Sequence, residues 1–409
     1  MSSLTKTIKL RINVSKGQDK LFRQMTEQYR QGCDFVSQYI FDHSMNLVYD
    51  RLNKALYGEL RSRFGLKSQM AQSTIKTTIA RYKTVETQLH QHPYKYKDEA
   101  GKWHSLPKTL EWLWHPVSFR RPQADLVRNR DYSFVDGGRM LSINTLGRRE
   151  KCTFEGKHFA EYLDGSWNLG TAKLVELKGL WYLHIPVTKE VEDFHKENLR
   201  HVVGIDRGLR FLTVSYDEKG KTSFVSGRKI ATKRHKFHEV RRQLQAKGTK
   251  SAKRVLKRLS GRENRWMSDV NHLISKALVQ KYGKDTLFVI EDLTGVSFAE
   301  ENLRRRKQQK RDLRSWSFYQ LEQFLTYKAH ENRSEVLKVS AKYTSQRCPK
   351  CGTIRKENRN HHKHLYICQC GYKSNDDRIG AMNIHQLGTM WVSGDNNPRY
   401  ERMKPTASE

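Results

Sequence analysis

Three acidic residues stand where a sequence can hold them for chemistry. Asp206 closes the apolar run His201-Val202-Val203-Gly204-Ile205, Glu291 closes Thr286-Leu287-Phe288-Val289-Ile290, and Asp377 follows a group of four cysteines. Carboxylates at the ends of buried strands are a common means of collecting divalent cations for phosphodiester chemistry. Three such groups within a few ångströms repel one another by ~4 kcal/mol per pair at an effective dielectric near 20. The cluster persists only with cations between the acids or with raised pKa values. Two Mg²⁺ ions ~3.5–4 Å apart would remove the conflict, one activating a water and the other stabilising a leaving 3′ oxygen. Any one of these acids alone reads more simply as a strand-end cap or a surface ion pair, so the inference rests on the set. Asp292 and Asp376 are immediate competitors. Side chains alternate along a strand, so Glu291 and Asp292 cannot both face one site. The run ending at Ile290 does not choose between them.

The cysteines sharpen the pattern. Cys348 and Cys351 form a Cys-x-x-Cys knuckle, 16 residues (352–367) follow, and Cys368-Gln369-Cys370 supplies a second pair one residue shorter than usual. The separation suits a zinc ribbon with four thiolates in tetrahedral array. His361, His362 and His364 are competing ligands, any of which could replace a cysteine. So small a unit has almost no core, and structural zinc supplies ~10–16 kcal/mol of apparent folding free energy. The ribbon hands the chain directly to the segment bearing Asp377. Cys33 and Cys152 read as packed thiols, which suits a reducing compartment.

The elements that must position these groups follow from hydrophobic period. Residues 4–14 alternate as a strand, with Ile8, Leu10, Ile12 and Val14 on one face. From Gln18 to about His90 the period is helical, with stripes through Leu21, Met25, Tyr29, Val36 and Ile40 and through Ile75, Ile79, Tyr82, Val85 and Leu89. Short strands return at Ser133–Val135, Arg139–Ile143, Leu174–Leu177 and Trp181–Val187, with hairpin turns at Asp136-Gly137-Gly138 and Lys178-Gly179. The whole reads as a small β-barrel interrupted by helices. A charged linker, Glu190–Leu199, leads to a strand meander that begins with Asp206's strand. A long basic helical stretch runs from Lys229 to Lys281, and the strand of Glu291 follows it. Arg304–Arg311 is too charged to pack, a helix is expected at Trp316–His330, and a strand at Glu335–Val339. Strands ending in Asp206 and Glu291, with Asp377 at a helix start, fit a ribonuclease H topology.

The chain has 409 residues and carries 77 Lys+Arg against 43 Asp+Glu, a net charge of +34. Such a chain repels itself unless a polyanion neutralises it, so nucleic acid is the expected partner. No apolar run approaches the ~18–20 residues of a membrane span. Met1–Lys6 carries no signal-peptide core, so the expected location is cytoplasmic, in association with the nucleoid when on DNA. Arg120, Arg121, Arg128 and Arg130 are candidate RNA contacts; Lys253, Arg254, Lys257 and Arg258 are candidates for RNA or heteroduplex. Trp103, Trp112 and Trp114 could stack on bases, although such residues more often pack.

Several segments together resemble TnpB, the insertion-sequence-encoded family of RNA-guided DNA endonucleases ancestral to type V CRISPR effectors. They are Gly204-Ile205-Asp206-Arg207-Gly208-Leu209, Ile290-Glu291-Asp292-Leu293, Tyr343 through Gly352, and Ser374 through Ile384. The resemblance implies an α+β multidomain chain: a split β-barrel with a helical insertion, then a ribonuclease H-like RuvC domain carrying an inserted zinc ribbon. The implied boundaries are 1–15 and 96–195 for the wedge-type barrel and 16–95 for the helical recognition domain. The RuvC domain takes 196–340 and 373–390, the ribbon 341–372, and a disordered tail 391–409. Asp206, Glu291 and Asp377 would be the catalytic acids holding two Mg²⁺, and Cys348, Cys351, Cys368 and Cys370 would hold one Zn²⁺. The family places its third acid seven residues past the last cysteine, which favours Asp377 over Asp376. The implied partners are a guide RNA and a double-stranded DNA target beside a short transposon-adjacent motif, with a transposase of the same element as a further one. Guide pairing, not the protein, would read the target. The family often has Arg before the third acid and Asn-Ala-Ala after it, where this chain has Asp376 and Ile379-Gly380-Ala381. A nuclease-inactive RNA-guided repressor, a recombinase of the same fold and a compact CRISPR type V effector are the rival readings.

Overall fold

Two compact units make up the chain, one of Thr5–Lys189 and the other of Met1–Leu4 with Glu190–Glu409. The computed structural model describes residues 1–156, 159–294, 318–360 and 363–401. Arg304–Arg311, His361 and His362 lie outside the described residues.

In the first unit, β1 (Ser2–Asn13) runs into α1 (Lys16–Asp42) through a capping box in which Ser15 and Gln18 satisfy each other's backbone amides. The next helix, α2 (Tyr49–Phe64), stops at Gly65, whose φ of 63° a side chain would resist. After it comes α3 (Ser68–Gln91). Phe22, Met25, Tyr29, Cys33, Val36 and Ile40 of α1 meet Leu52, Leu56 and Leu60 of α2 and Met70, Ile75, Ile79 and Tyr82 of α3. The helical period read from the sequence is therefore a buried stripe. The same core continues onto a sheet through Leu10, Ile12, Leu126, Leu174, Trp181, Leu183 and Ile185.

That sheet has eight strands. They are β1, β4 (Gln123–Leu126), β5 (Tyr132–Val135), β6 (Met140–Asn144), β7 (Arg149–Glu155), β8 (Asn168–Leu169), β9 (Ala172–Leu177) and β10 (Leu180–Val191). Their order is β4-β9-β10-β1-β7-β6-β5, with β8 beside β10. Positive φ at Asp136 and Gly137, and at Lys178 and Gly179, makes the two expected hairpin turns. An additional hairpin, β2 (Tyr94–Lys97) with β3 (Trp103–Leu106), forms a sheet of its own, so the boundary expected at 95/96 falls inside a strand.

The second unit is built on β11 (His201–Asp206), β12 (Phe211–Asp217), β13 (Thr222–Ser226), β14 (Thr286–Glu291) and β15 (Glu335–Val339), in the order β13-β12-β11-β14-β15. Pairing of β11 with β14 and of β14 with β15 is parallel; the other two are antiparallel. Helices cover both faces, so β11 and β14 read as near-continuous apolar runs. Val203, Ile205, Phe288 and Ile290 face α5 (Lys250–Tyr282) and α6 (Phe318–Glu331). Val202, Leu287 and Val289 face α7 (Asp376–Val392) through Ile384 and Leu387. The basic helical stretch expected from Lys229 to Lys281 is made of two helices, α4 (Arg228–Lys247) and α5. Gly248, at φ 63°, ends the first, and Thr249 caps the second through the Ala252 amide.

The three-stranded ribbon β16 (Arg359–Asn360), β17 (Leu365–Ile367) and β18 (Lys373–Asn375) precedes α7. The tail expected to be disordered from 391 is ordered through its first part. Residues 391 and 392 finish α7, and Tyr400 is buried with its hydroxyl donating to the Asn383 carbonyl at 2.8 Å. An aromatic anchor inside a polar, Pro-containing segment overrides the composition. Among the described residues no helix is long and apolar enough to cross a membrane.

Candidate metal centres

Strand alternation decides which acid of the second run faces the site. Ile205 pairs with Ile290 in the parallel register, so Asp206 and Glu291 stand one step further along on adjacent strands. Both follow the parity of Val202, Leu287 and Val289, on the face covered by α7. Asp292 turns the other way and accepts from Thr294 (backbone N–H 3.0 Å, and hydroxyl), hydrogen bonds that hold its carboxyl below the usual range. Asp377 lies in the first turn of α7, where Asn375 caps the helix by accepting from the Asp377 and Arg378 amides at 3.0 and 3.1 Å.

Two glycines let the helix lie directly on the strand. A Cβ at Gly204 would overlap the Ala381 carbonyl and the His385 amide, and a Cβ at Gly380 would stand 2.9 Å from Asp206 Oδ2. At 380 a methyl group would crowd the Asp206 carboxylate.

The three acids share one electrostatic environment. Burial, then the charges of Glu291 and Asp377, push the Asp206 carboxyl well above the carboxylate range, against the pull of Arg359. Burial also raises Glu291, opposed by the Thr344 hydroxyl that donates to Oε1 and by Arg207 and Arg359. Thr344 is itself held through Asn383 Nδ2, which donates to the Thr344 and Arg347 carbonyls at 2.7 and 2.8 Å. Arg207 is buried and donates to the Glu291 carbonyl and, at 3.2 Å, to Glu322. A buried carboxyl raised further by two acid neighbours, as Asp206 is, is one whose ionised form a cation's charge would favour.

Sequence reasoning missed Arg359. From β16 it reaches Asp376 (Nε to Oδ2, 3.0 Å) and Asp377 (Nη2 to Oδ1, 3.3 Å). No local pattern marks it among the many basic residues of the ribbon; only the strand pairing of β16 with β17 and of β17 with β18 carries it to the acids. Asp376, almost fully buried, also faces His364 Nδ1 at 3.6 Å. His364 therefore lies beside acids and not among the cysteines.

The four cysteine sulfurs converge, all within 4.8 Å of one another. The Cys348–Cys370 and Cys351–Cys368 Sγ distances are 3.7 and 3.5 Å. A tetrahedral ion with ~2.3 Å bonds to sulfur has edges of about 3.8 Å, so the donor set fits zinc. The shortened Cys-x-Cys pair still reaches because Gly371, at φ 81°, turns the chain back, with its amide on the Cys368 carbonyl at 3.0 Å. Hydrogen bonding with Thr353 pulls the Cys351 thiol down to about 6, while burial pushes Cys348 up to about 12.

Of the proposed nucleic-acid contacts, Arg120, Arg121 and Arg130 are exposed and Arg128 half-buried in the first unit. Lys253, Arg254, Lys257 and Arg258 are exposed on α5 in the second unit.

Residues 184–297 match the family described as "Probable transposase" (OrfB_IS605), and residues 318–384 match "Cas12f1-like, TNB domain". These segments contain the strands of Asp206 and Glu291, all four cysteines and Asp377. The chain is similar to TnpB-like proteins. It is 27% identical over 259 residues to a TnpB-like protein of Methanocaldococcus jannaschii, covering 61% of this chain and 89% of that one. It is 29% identical over 226 residues to a putative RNA-guided DNA endonuclease, InsQ, of Escherichia coli, covering 51% and 54%. A CRISPR-associated endodeoxyribonuclease Cas12f1 of Sulfoacidibacillus thermotolerans is 26% identical over 238 residues, covering 54% of each. The chain thus spans about half the length of two of these three relatives. In fold it is similar to the mini-RNA-guided endonuclease CRISPR-Cas_phi3, with a TM-score of 0.55 at 10% identity over 94% of this chain and 92% of that one.

Proposed function

We propose that this chain is an RNA-guided DNA endonuclease that cleaves beside a short transposon-adjacent motif by metal-dependent phosphodiester hydrolysis. The observation that carries this reading is that Asp206 and Glu291 end adjacent strands on the face covered by α7, whose first turn bears Asp377, with the Asp206 carboxyl raised by burial and then by the charges of the other two. Asp206, Glu291 and Asp377 would hold two Mg²⁺. Bound there, the ions supply an activated water and charge neutralisation at the leaving 3′ oxygen, giving 5′-phosphate ends. Thr344 fixes the Glu291 carboxylate, and Arg359 adds a fixed positive charge beside Asp377. Cys348, Cys351, Cys368 and Cys370 would hold Zn²⁺, which shapes the ribbon from which Arg359 reaches the acids.

In this reading the five-stranded sheet with α5, α6 and α7 is a ribonuclease H-like RuvC domain, and the eight-stranded sheet with its helices is the split barrel and recognition domain. Arg120, Arg121, Arg128 and Arg130, with Lys253, Arg254, Lys257 and Arg258, track RNA and heteroduplex phosphates without reading sequence. The intact acid set weighs against a nuclease-inactive repressor. The match of 318–384 to the Cas12f1-like family keeps a compact CRISPR effector as the second reading, and a CRISPR array beside the gene would favour it.

The test is to express the chain with its genomic flanks, sequence the RNA that co-purifies, and incubate the complex with a plasmid bearing the matching target and Mg²⁺. One discrete RNA and site-specific cleavage are expected. Random RNA fragments together with an uncut plasmid would end the proposal.

A further inference from the structure

The hairpin β2–β3 has no role in the metal centres, and its construction is unusual. It pairs Tyr94 with Leu106, Lys95 with Ser105, Tyr96 with His104 and Lys97 with Trp103, and it joins no other sheet. Its turn is firmly made. Asp98 accepts from the Lys102 amide at 2.8 Å and holds His104 Nε2 at 2.6 Å, and Gly101 takes φ 78°. A two-stranded hairpin is marginal in water unless one face is covered. Here both faces are open: every residue of the two strands except His104 is exposed.

What it exposes is aromatic. Tyr94 stacks on Tyr96 (6.0 Å between centroids) and lies 5.9 Å from Trp112, while Tyr96 stacks on His104 at 5.4 Å. Trp103 on the opposite face is 65% exposed, and Trp114 just beyond is 96% exposed. Lysines are interleaved with the rings: Lys97 Nζ sits 5.2 Å from the Trp103 ring and Lys108 Nζ 5.8 Å from the Trp112 ring. Interleaving distinguishes the partner. Protein interfaces enrich Tyr and Trp but deplete Lys. Flat rings beside ammonium groups suit a ligand with planar faces and a phosphate backbone, namely unpaired nucleotides. Duplex DNA hides its base faces until opened, whereas RNA loops and ends present theirs at once.

We propose that the hairpin of Tyr94–Leu106, with Trp112, is a stacking platform for unpaired bases of the RNA the chain carries. This rests on the RNA-guided reading. Bases stack on the rings while Lys95, Lys97 and Lys108 face the phosphates between them, so occupancy covers the faces that the fold leaves bare.

The experiment uses the full chain purified with its own RNA. The complex is irradiated with ultraviolet light, and peptides carrying nucleotide adducts are identified by mass spectrometry, before and after target DNA is added. RNA adducts on peptides containing Tyr94, Tyr96, Trp103 or Trp112 are expected without DNA. In parallel, a W103A/W112A chain, whose unchanged melting temperature is checked first, is expected to bind the same RNA about tenfold more weakly per stacked base lost. Its slope of log affinity against log salt is expected to stay unchanged, because no phosphate contact is removed. Adducts elsewhere in the chain but none on the hairpin would overturn the platform while leaving RNA binding intact. Hairpin adducts that form only with target DNA and map to DNA would overturn RNA as the occupant. A hairpin that crosslinks to another protein overturns the nucleic-acid assignment. A wild-type chain that retains no discrete RNA takes down both this proposal and the function on which it rests.

Discussion

The acid cluster and the cysteine cluster lie in the same unit but are held together by different means. Asp206 and Glu291 end strands whose preceding residues are buried on both faces, with Ile205, Leu287, Phe288, Val289 and Ile290 at most 1% exposed. That scaffold would form without any ion. Among the described residues the ribbon's buried apolar cluster is Cys348, Tyr366 and Cys368 with Ile379 of α7, and two of those four belong to the cysteine cluster itself. One site stands on a buried sheet; the other has almost no apolar core besides its own sulfurs. Arg359 and the start of α7 sit where the two meet, with Arg359 Nη2 donating to Asp377 at 3.3 Å.

Four predictions test this contrast, and the largest effect comes first. Asp206→Ala is expected to abolish cleavage while leaving RNA-guided DNA binding and the melting temperature near wild type, measured by plasmid cleavage, filter binding and thermal melts. Equal loss of binding would make Asp206 structural and erase the distinction. Cys348→Ser with Cys351→Ser is expected to abolish cleavage too, but with local unfolding. Hydrogen exchange should speed up across 341–375 while β11 and β14 stay protected. Thr344→Val removes the hydroxyl on Glu291 and keeps the shape. The Mg²⁺ concentration for half-maximal cleavage is expected to rise about 10–100-fold, with the ribbon and sheet unaltered.

The smallest effect concerns pH. The Asp206 carboxyl is raised in the fold, so the Mg²⁺-free native chain binds that proton more tightly than the unfolded chain. Its contribution is present at low pH and is lost as pH climbs from the ordinary carboxylate range through the raised value. Asp206→Asn does not titrate there. Zinc-loaded, Mg²⁺-free Asp206→Asn protein should therefore match wild type at acid pH and melt a few degrees higher at neutral pH, and added Mg²⁺ should reverse the order. A difference that does not change with pH would mean the acids are too far apart to sense one another.

Much of the second unit was legible because its signals are local. Apolar runs ending in an acid, Cys-x-x-Cys spacing and the Tyr343–Arg347 segment each occupy few residues, and each falls at a place with one evident role. The ambiguity at Glu291–Asp292 was resolved only by register, which the sequence does not contain. Arg359 escaped because its partners lie 17 and 18 residues away across two strand pairings. The split of the basic stretch at Gly248–Thr249 was a readable C-cap and N-cap pair that the dominant positive charge obscured. The β2–β3 hairpin was passed over because hydrophobic period reports burial, and neither of its faces is buried. Tyr400 was invisible for the opposite reason, a single anchor in a polar context.

The close approach at Gly380 has a consequence for any attempt to exchange parts between this chain and its relatives. An alanine introduced there must displace either the nearby carboxylate or the helix axis, and both alternatives disturb the geometry of the acids. Positions 206 and 380 thus form a matched pair separated by much of the domain.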